Sequence, residues 1–358
     1  MIHELKASSF NVLKHLGITG LVADSPWRRH RLLILAFHGI ALHDEHLWSP
    51  DLYISLAQFE RRLALLKATR CTVLPLDDAI ARLYRGTLPN RAVVLTFDDG
   101  YYDFAAGAWP LLRAYGYPAT VYLTTARVDR NLPNIGLLES YALWCARDRV
   151  LHGDGIHGLR GIYPLATPEQ REHVVRCIND GLLNSIDDSK DAVVEALVRR
   201  LGLDYDGFLE RRVLTLLRPG EIEQLAGEGA DFQLHTHLHC TPPDVRDFVA
   251  DVLKNRDRIE TFTGKRPYHF CYPSGNYRTQ YFTALQAEGV ISATTCDPGL
   301  ATPASHPMLL PRFVDTSVVS DVVFEAWLTG MAPCLPRRTR KGGFPITDLM
   351  EGRAALGT

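Results

Sequence analysis

The chain has 358 residues, 46% of them hydrophobic and 22% charged, which is an ordinary globular composition. That excludes a disordered, collagen-like or coiled-coil chain, and at roughly 150 residues per domain it allows two domains or one large barrel-type domain. Lys+Arg is 39 and Asp+Glu is 41, a formal net charge of -2, so there is no basic excess to neutralise phosphates and nucleic acid is not an expected partner.

Residues 1–30 read as an N-terminal helical segment. Phe10, Leu13, Leu16 and Leu21 recur at loosely helical spacing ahead of the basic stretch Trp27-Arg28-Arg29-His30-Arg31. Packing on the domain is the ordinary reading of such a face. The alternative is peripheral membrane contact, in which the apolar face and its arginines meet anionic lipid. The segment carries an early acidic residue and an interrupted apolar run, unlike a secretory signal. The seven cysteines include no C-x-x-C pair, so neither a thiolate zinc site nor a disulfide framework is expected. Together these features predict a cytoplasmic location, or one peripheral to the inner face of a membrane.

From residue 32 the pattern alternates. Apolar runs at 32–38, 71–75, 92–97 and 119–125 read as strands, and helical spacing appears at 57–69, 77–85 and 109–115. Residues 130–218 break this rhythm with helical patterns and no obvious strand, and read as a helical insertion. Beyond them, helices are expected at 221–230, 245–264 and 279–289, and strands at 231–235, 268–273, 291–296 and 308–313. The tail, 336–358, is basic and rich in Gly and Pro; it reads as a flexible terminus and, like the N-terminal segment, as a candidate for peripheral membrane contact. The predicted organisation is an α/β domain over 31–335, a distorted (β/α) barrel of about seven strands.

Barrel folds place chemistry at the C-terminal ends of their strands. Those ends carry His38-Gly39, Asp98-Asp99-Gly100, His235 to His239, Pro273-Ser274-Gly275 and Arg312. Adjacent residues at a strand end point different ways, so one carboxylate of Asp98-Asp99 can bind a cation while the other faces substrate or water. Asp and Gly are also ordinary turn residues, and the pair alone is not decisive. His235 and His239 are four apart, a spacing that brings two imidazoles to one side. Two His and a carboxylate are a frequent set for a catalytic Zn2+ with open positions. His237 is left as a neighbour.

FHG at 37–39, LTFDDGYYD at 95–103, HTHLH at 235–239 and YPSG at 272–275 resemble, in order and spacing, the polysaccharide deacetylase family, also called NodB-homology or carbohydrate esterase family 4. The resemblance spans about residues 30–315. It implies a distorted barrel and metal-dependent removal of acetyl groups from sugars. Carried over, Asp98 is the general base, and Asp99, His235 and His239 hold Zn2+ or another divalent transition metal such as Co2+. The backbone N–H of Tyr101 is expected to meet the oxyanion. Two positions depart from the family pattern. Cys271 stands where many members have an arginine that holds the base, and Leu309-Leu310-Pro311-Arg312 offers no histidine to act as acid. His38 fits the acid of a subgroup whose first strand ends in such a histidine, and Arg312 is the candidate for the missing guanidinium. An ordinary strand-capping histidine and an ordinary salt bridge remain the simpler readings of these two.

The expected function is a metal-dependent deacetylase acting on N-acetyl groups of amino sugars in a glycan or glycolipid precursor, with an acetylated saccharide as partner. The alternative is an O-acetyl esterase, or an amidohydrolase on a non-sugar amide, using the same site. A glycan-binding module without activity is disfavoured, because a binder has no use for a free base beside a metal.

Overall fold

The computed structural model describes residues 10, 12–14, 16–130, 132–183 and 190–332; the expected tail at 336–358 lies outside the described residues. Among these, twelve strands form: β1 (Leu33–Phe37), β2 (Gly39–Ala41), β3 (Tyr53–Ser55), β4 (Thr72–Val73), β5 (Ala92–Asp99), β6 (Thr120–Leu123), β7 (Val150–His152), β8 (Ile162–Pro164), β9 (Asp231–Leu234), β10 (His269–Cys271), β11 (Ser292–Thr294) and β12 (Phe313–Val314). The described residues fall into two compact units, one made of those up to 128 with 219–332 and the other of those within 129–218.

The first unit is built on one curled parallel sheet in the order β11-β10-β9-β6-β5-β1-β12, with β4 added beside β5. Every residue of β1 and β5 is buried. Such near-continuous apolar runs are what a parallel strand covered on both faces requires. Phe37 and Phe97 stack in register at 5.3 Å between ring centroids. Curling brings the two sheet ends together through one segment. Leu310 bridges Thr294 at the end of β11, and Phe313 and Val314, directly after Arg312, pair with β1. The single strand expected at 308–313 is therefore divided. Pro311 lacks an N–H and cannot continue a ladder, and on either side of it the chain serves a different edge. Arg312 is thereby fixed between both ends of the sheet.

The helices follow their sequence signals. Residues Leu56–Ala68 are capped by Ser55, whose hydroxyl accepts the N–H of Gln58. Val245–Thr263 begins at Asp244, whose carboxylate accepts from Arg246 and Asp247, and ends at Gly264 with φ 68°. Helix Asp321–Thr329, capped by Ser320, was not expected from the sequence. Its apolar residue Ala326, with Met331 just beyond its end, packs with Phe10, so the partner that defines its buried face lies some 300 residues away in sequence. Among the described residues no helix is long and apolar enough to cross a membrane, and no disulfide is formed.

The second unit contains helices Ile135–Cys145, Pro168–Leu183, Lys190–Arg200 and Tyr205–Glu210. It also contains an antiparallel hairpin of β7 and β8, where no strand was expected. Each hairpin strand is three residues long and mostly exposed, too short and too wet to show a period-2 apolar pattern. Glu139, fully buried, is met by Lys190 at 2.9 Å.

Candidate active site

β5 ends in the two acidic residues, and the chain turns sharply after them. Asp99 has φ 68° and Gly100 φ 82°. A left-handed non-glycine residue costs on the order of 1–3 kcal/mol and persists only where its surroundings over-determine it. Here the Asp99 carbonyl accepts from Thr124 N at 3.2 Å. A side chain on Gly100 would sit 2.3 Å from the Leu123 methyl, so the turn admits only glycine there.

Asp98 and Asp99 then meet opposite surroundings. Asp98 is buried and gripped by Arg312, with Nη1 to Oδ1 and Nη2 to Oδ2 both 2.7 Å. Arg312 is itself fully buried; its Nε donates to the Thr295 carbonyl at 2.9 Å and Nη1 to the Thr96 hydroxyl at 3.3 Å. Two parallel charge-assisted bonds fix both the direction and the ionisation of a carboxylate. Burial alone would raise the Asp98 pKa; the charge and hydrogen bonds of Arg312, joined by His38 and His235, outweigh it and hold the group below the usual carboxylate value. Cys271, at the end of β10, lies with its sulfur 3.8 Å from Asp98 Oδ2. The thiol thus occupies a position beside the carboxylate, and the guanidinium arrives from the residue just ahead of β12.

Asp99 faces away toward two imidazoles. Its Oδ1 lies 3.3 Å from His235 Nε2 and 3.1 Å from His239 Nε2. This oxygen is buried and accepts no hydrogen bond among the described residues. His235 Nδ1 is 2.8 Å from the Cys271 carbonyl, which can only accept, so Nδ1 carries the proton and Nε2 presents a lone pair. Ligand atoms of Asp99, His235 and His239 all lie within 4.8 Å of one another. Two imidazole nitrogens gathered at a buried carboxylate oxygen suit a cation, and two His with one carboxylate are a donor set that can hold a divalent metal ion. A second group, Asp98, His235 and Cys271, meets the same distance criterion, but there Arg312 already neutralises the carboxylate.

His38 follows β1, partly buried, with Nε2 3.6 Å from Asp98 Oδ2. Its Nδ1 is buried with no partner among the described residues. Burial lowers the His38 pKa below its usual value, partly opposed by the charges of Asp98 and Asp99. Tyr101 is buried immediately after the turn. His237 points elsewhere, with Nδ1 2.9 Å from the Thr125 hydroxyl.

Two residues not singled out in the sequence hold the histidine loop. Asp251 accepts the N–H groups of His237 at 2.6 Å and Leu238 at 3.1 Å, and Asn255 accepts that of His235 at 3.0 Å. Both lie on helix Val245–Thr263, among buried Phe248, Val252 and Ile259. Polar residues interrupting an apolar helical face were the available signal.

The polysaccharide deacetylase family matches residues 85–291, more than half of the chain. The chain belongs to the polysaccharide deacetylase family. This is a family of hydrolases that act on carbon–nitrogen bonds other than peptide bonds. Among curated polysaccharide deacetylases, the poly-beta-1,6-N-acetyl-D-glucosamine N-deacetylase of Escherichia coli (strain K12) is 30% identical over 101 residues, 28% of this chain and 15% of that protein. The protein of the same name from Staphylococcus aureus (strain MSSA476) is 30% identical over 91 residues, 25% of this chain and 31% of that protein. The matched stretch thus spans less than a third of either relative. The Streptococcus pyogenes deacetylase PplD, solved in complex with acetate, has a TM-score of 0.55 at 17% identity, covering 84% of this chain and 98% of that one. IcaB from Ammonifex degensii has a TM-score of 0.52 at 16% identity, covering 84% and 97%. Both likenesses place the curled sheet with its helices in the (β/α)-barrel fold of these deacetylases.

Proposed function

We propose that this family member is a metal-dependent N-deacetylase acting on N-acetylhexosamine units of a glycan. The observation that carries the reading is the opposed surroundings of Asp98 and Asp99: one carboxylate is gripped by a guanidinium through two hydrogen bonds, and its neighbour is turned to the Nε2 atoms of two histidines. The named activity of the two curated relatives supports an N-acetylglucosamine polymer as the substrate class, and a lipid-linked saccharide precursor is the narrower variant of it.

Asp99, His235 and His239 would hold the metal, for which Zn2+ is the first choice and Co2+ the second. Such an ion would polarise a carbonyl and lower the pKa of bound water to about 7. Asp98, kept ionised by Arg312, takes the proton from the attacking water. The oxyanion that forms is met by the Tyr101 backbone N–H. Amine departure requires a proton at nitrogen. Burial lowers the His38 pKa and so favours the neutral imidazole, which can accept a proton. His38 Nε2 stands 3.6 Å from Asp98 Oδ2, and the proton that Asp98 takes from water passes to His38, which delivers it to the leaving amine. One proton leaves water and one reaches the amine, so the balance closes inside the site.

The test is to incubate the zinc-loaded protein with N-acetylglucosamine oligomers, O-acetylated sugars and a simple non-sugar acetamide. Release of free amine together with acetate from the oligomers is expected. Acetate without amine, from the O-acetylated sugars alone, would replace the reading with an esterase. Turnover of the non-sugar amide alone would replace it with a general amidohydrolase.

A further inference from the structure

The segment bearing His235 and His239 belongs to no helix or strand. Two of its five residues, Thr236 with φ 61° and His239 with φ 56°, take left-handed backbone that non-glycine residues rarely adopt. A loop of this shape does not hold itself. Within it the Thr236 hydroxyl accepts the Cys240 N–H at 3.2 Å. The end of β6 and β10 add restraints, through Ala126 N–H donating to the His237 carbonyl at 2.9 Å, the Thr125 hydroxyl at His237 Nδ1 and the Cys271 carbonyl at His235 Nδ1, and the backbone N–H groups of the loop are held by one helix. Asp251 and Asn255, one turn apart on Val245–Thr263, are 8% and 0% exposed. Between them they accept three backbone donors of the loop, the N–H groups of His235, His237 and Leu238. Asn255 also donates to the Leu123 carbonyl at 2.9 Å and the Thr125 hydroxyl at 3.0 Å. It thereby ties the loop to the end of β6, beside the strand that carries Asp99.

We infer that Asp251 and Asn255 are positioning residues that set the affinity and release rate of the metal, acting through the backbone of the histidine loop and touching neither metal nor substrate. Gathering an imidazole lone pair beside a carboxylate oxygen is unfavourable before an ion arrives. A carboxylate and an amide fixed on a long buried helix hold that arrangement in advance, so an ion does not have to reorganise the loop. Without them Thr236 and His239 relax toward ordinary backbone angles and His239 swings off the Asp99 oxygen. The inference rests on the reading of Asp99, His235 and His239 as the metal ligands.

The experiment measures the zinc dissociation constant by competition with a chromogenic chelator, the zinc release rate on chelator excess, and the melting temperature of the metal-free protein. It compares wild type, Asp99→Ala, Asp251→Ala, Asp251→Asn, Asn255→Ala and Asn255→Asp. Groups that orient metal ligands typically contribute 10–100-fold to affinity. Asp251→Ala and Asn255→Ala should therefore raise the dissociation constant roughly 10–100-fold and speed release. Asp251→Asn, which retains one acceptor oxygen, should fall between. If the alanine variants do not fold, Asp251→Asn and Asn255→Asp carry the test, since Asn255→Asp keeps the acceptor for His235 and loses the donor to β6. A lowered melting temperature with a zinc constant within twofold of wild type would reduce both residues to structural ones and overturn the inference. Wild-type affinity in Asp99→Ala would instead overturn the ligand set, whatever the helix variants do.

Discussion

Asp98 and Asp99 are the same residue type, adjacent in one strand, and the fold makes them chemically unlike. Asp98 accepts two hydrogen bonds from Arg312 at 2.7 Å. Asp99 offers a buried oxygen that accepts none and faces His235 and His239. The comparison teaches that role at this site follows from the surrounding donors. A carboxylate saturated with protons from a cation stays ionised and directed, ready to take one more proton. A carboxylate surrounded by lone pairs is ready for an ion. The strand alternation that sends neighbours to opposite sides is the device that allows both within one residue step.

The largest effect should come from removing the donor-starved member. Asp99→Ala should abolish turnover, with zinc content as the accompanying readout, because one of only three protein ligands is lost. Asp98→Asn should keep zinc while losing activity on the order of 10²–10⁴-fold, as expected of a general base. If Asp98→Asn loses zinc and Asp99→Asn keeps it, the assignments are reversed.

His38 sharpens the same contrast from the proton's side. His38→Ala should retain zinc and lose amide hydrolysis by about 10²-fold or more. Hydrolysis of an activated acetyl ester should suffer far less, because a phenoxide leaves without a proton. Equal losses on the two substrates would make His38 a structural residue.

Arg312→Met attacks the asymmetry directly. The guanidinium lowers the Asp98 pKa, so its removal raises that pKa, and the acidic limb of the pH–rate profile should move to higher pH. Removing one partner of a buried pair also costs about 3–5 kcal/mol of stability, which denaturant unfolding would register. Arg312→Lys should fall between Met and wild type, since it keeps the charge and loses the fork. A pH profile unchanged in Arg312→Met would leave the base without a partner.

The smallest effect concerns a histidine away from the strand-end mouth. His269, at the start of β10, is fully buried, with Nδ1 2.8 Å from the Ser292 hydroxyl. Burial lowers its pKa to about 4 from the ordinary 6.5, against the opposing charge of Asp77. The unfolded chain binds a proton that the folded chain resists over that interval. Stability is therefore complete above about pH 6.5 and falls as pH drops toward 4, by roughly 3 kcal/mol at most. His269→Gln should flatten the difference in unfolding free energy between pH 4 and 6.5, measured against wild type in the same buffers. An unchanged slope would show that other groups carry the acid sensitivity.

Much of this architecture was legible in the chain itself. Parallel βα rhythm follows from apolar runs such as 92–97 standing alternately with helical spacing, because strands buried on both faces leave no room for polar residues. TFDDG and H-T-H-L-H announce their chemistry because turns at strand ends tolerate few residue types and metal ligands fewer. What sequence alone leaves open is anything decided by distance through space. Nothing local ties Arg312 to Asp98, 214 positions apart; curling of the sheet around Pro311 does. Nothing local marks Asp251 and Asn255 as supports of the histidine loop, since a buried polar residue on a helix reads only as an interruption until its backbone partners are seen. The hairpin of β7 and β8 and the helix Asp321–Thr329 escaped for the same reason: short or late elements take their shape from partners distant in the chain. Residue identity set which side chains this protein can bring to its site, and tertiary packing decided that two neighbouring aspartates meet opposite surroundings, because ionisation and hydrogen bonding are set by what stands within a few ångströms.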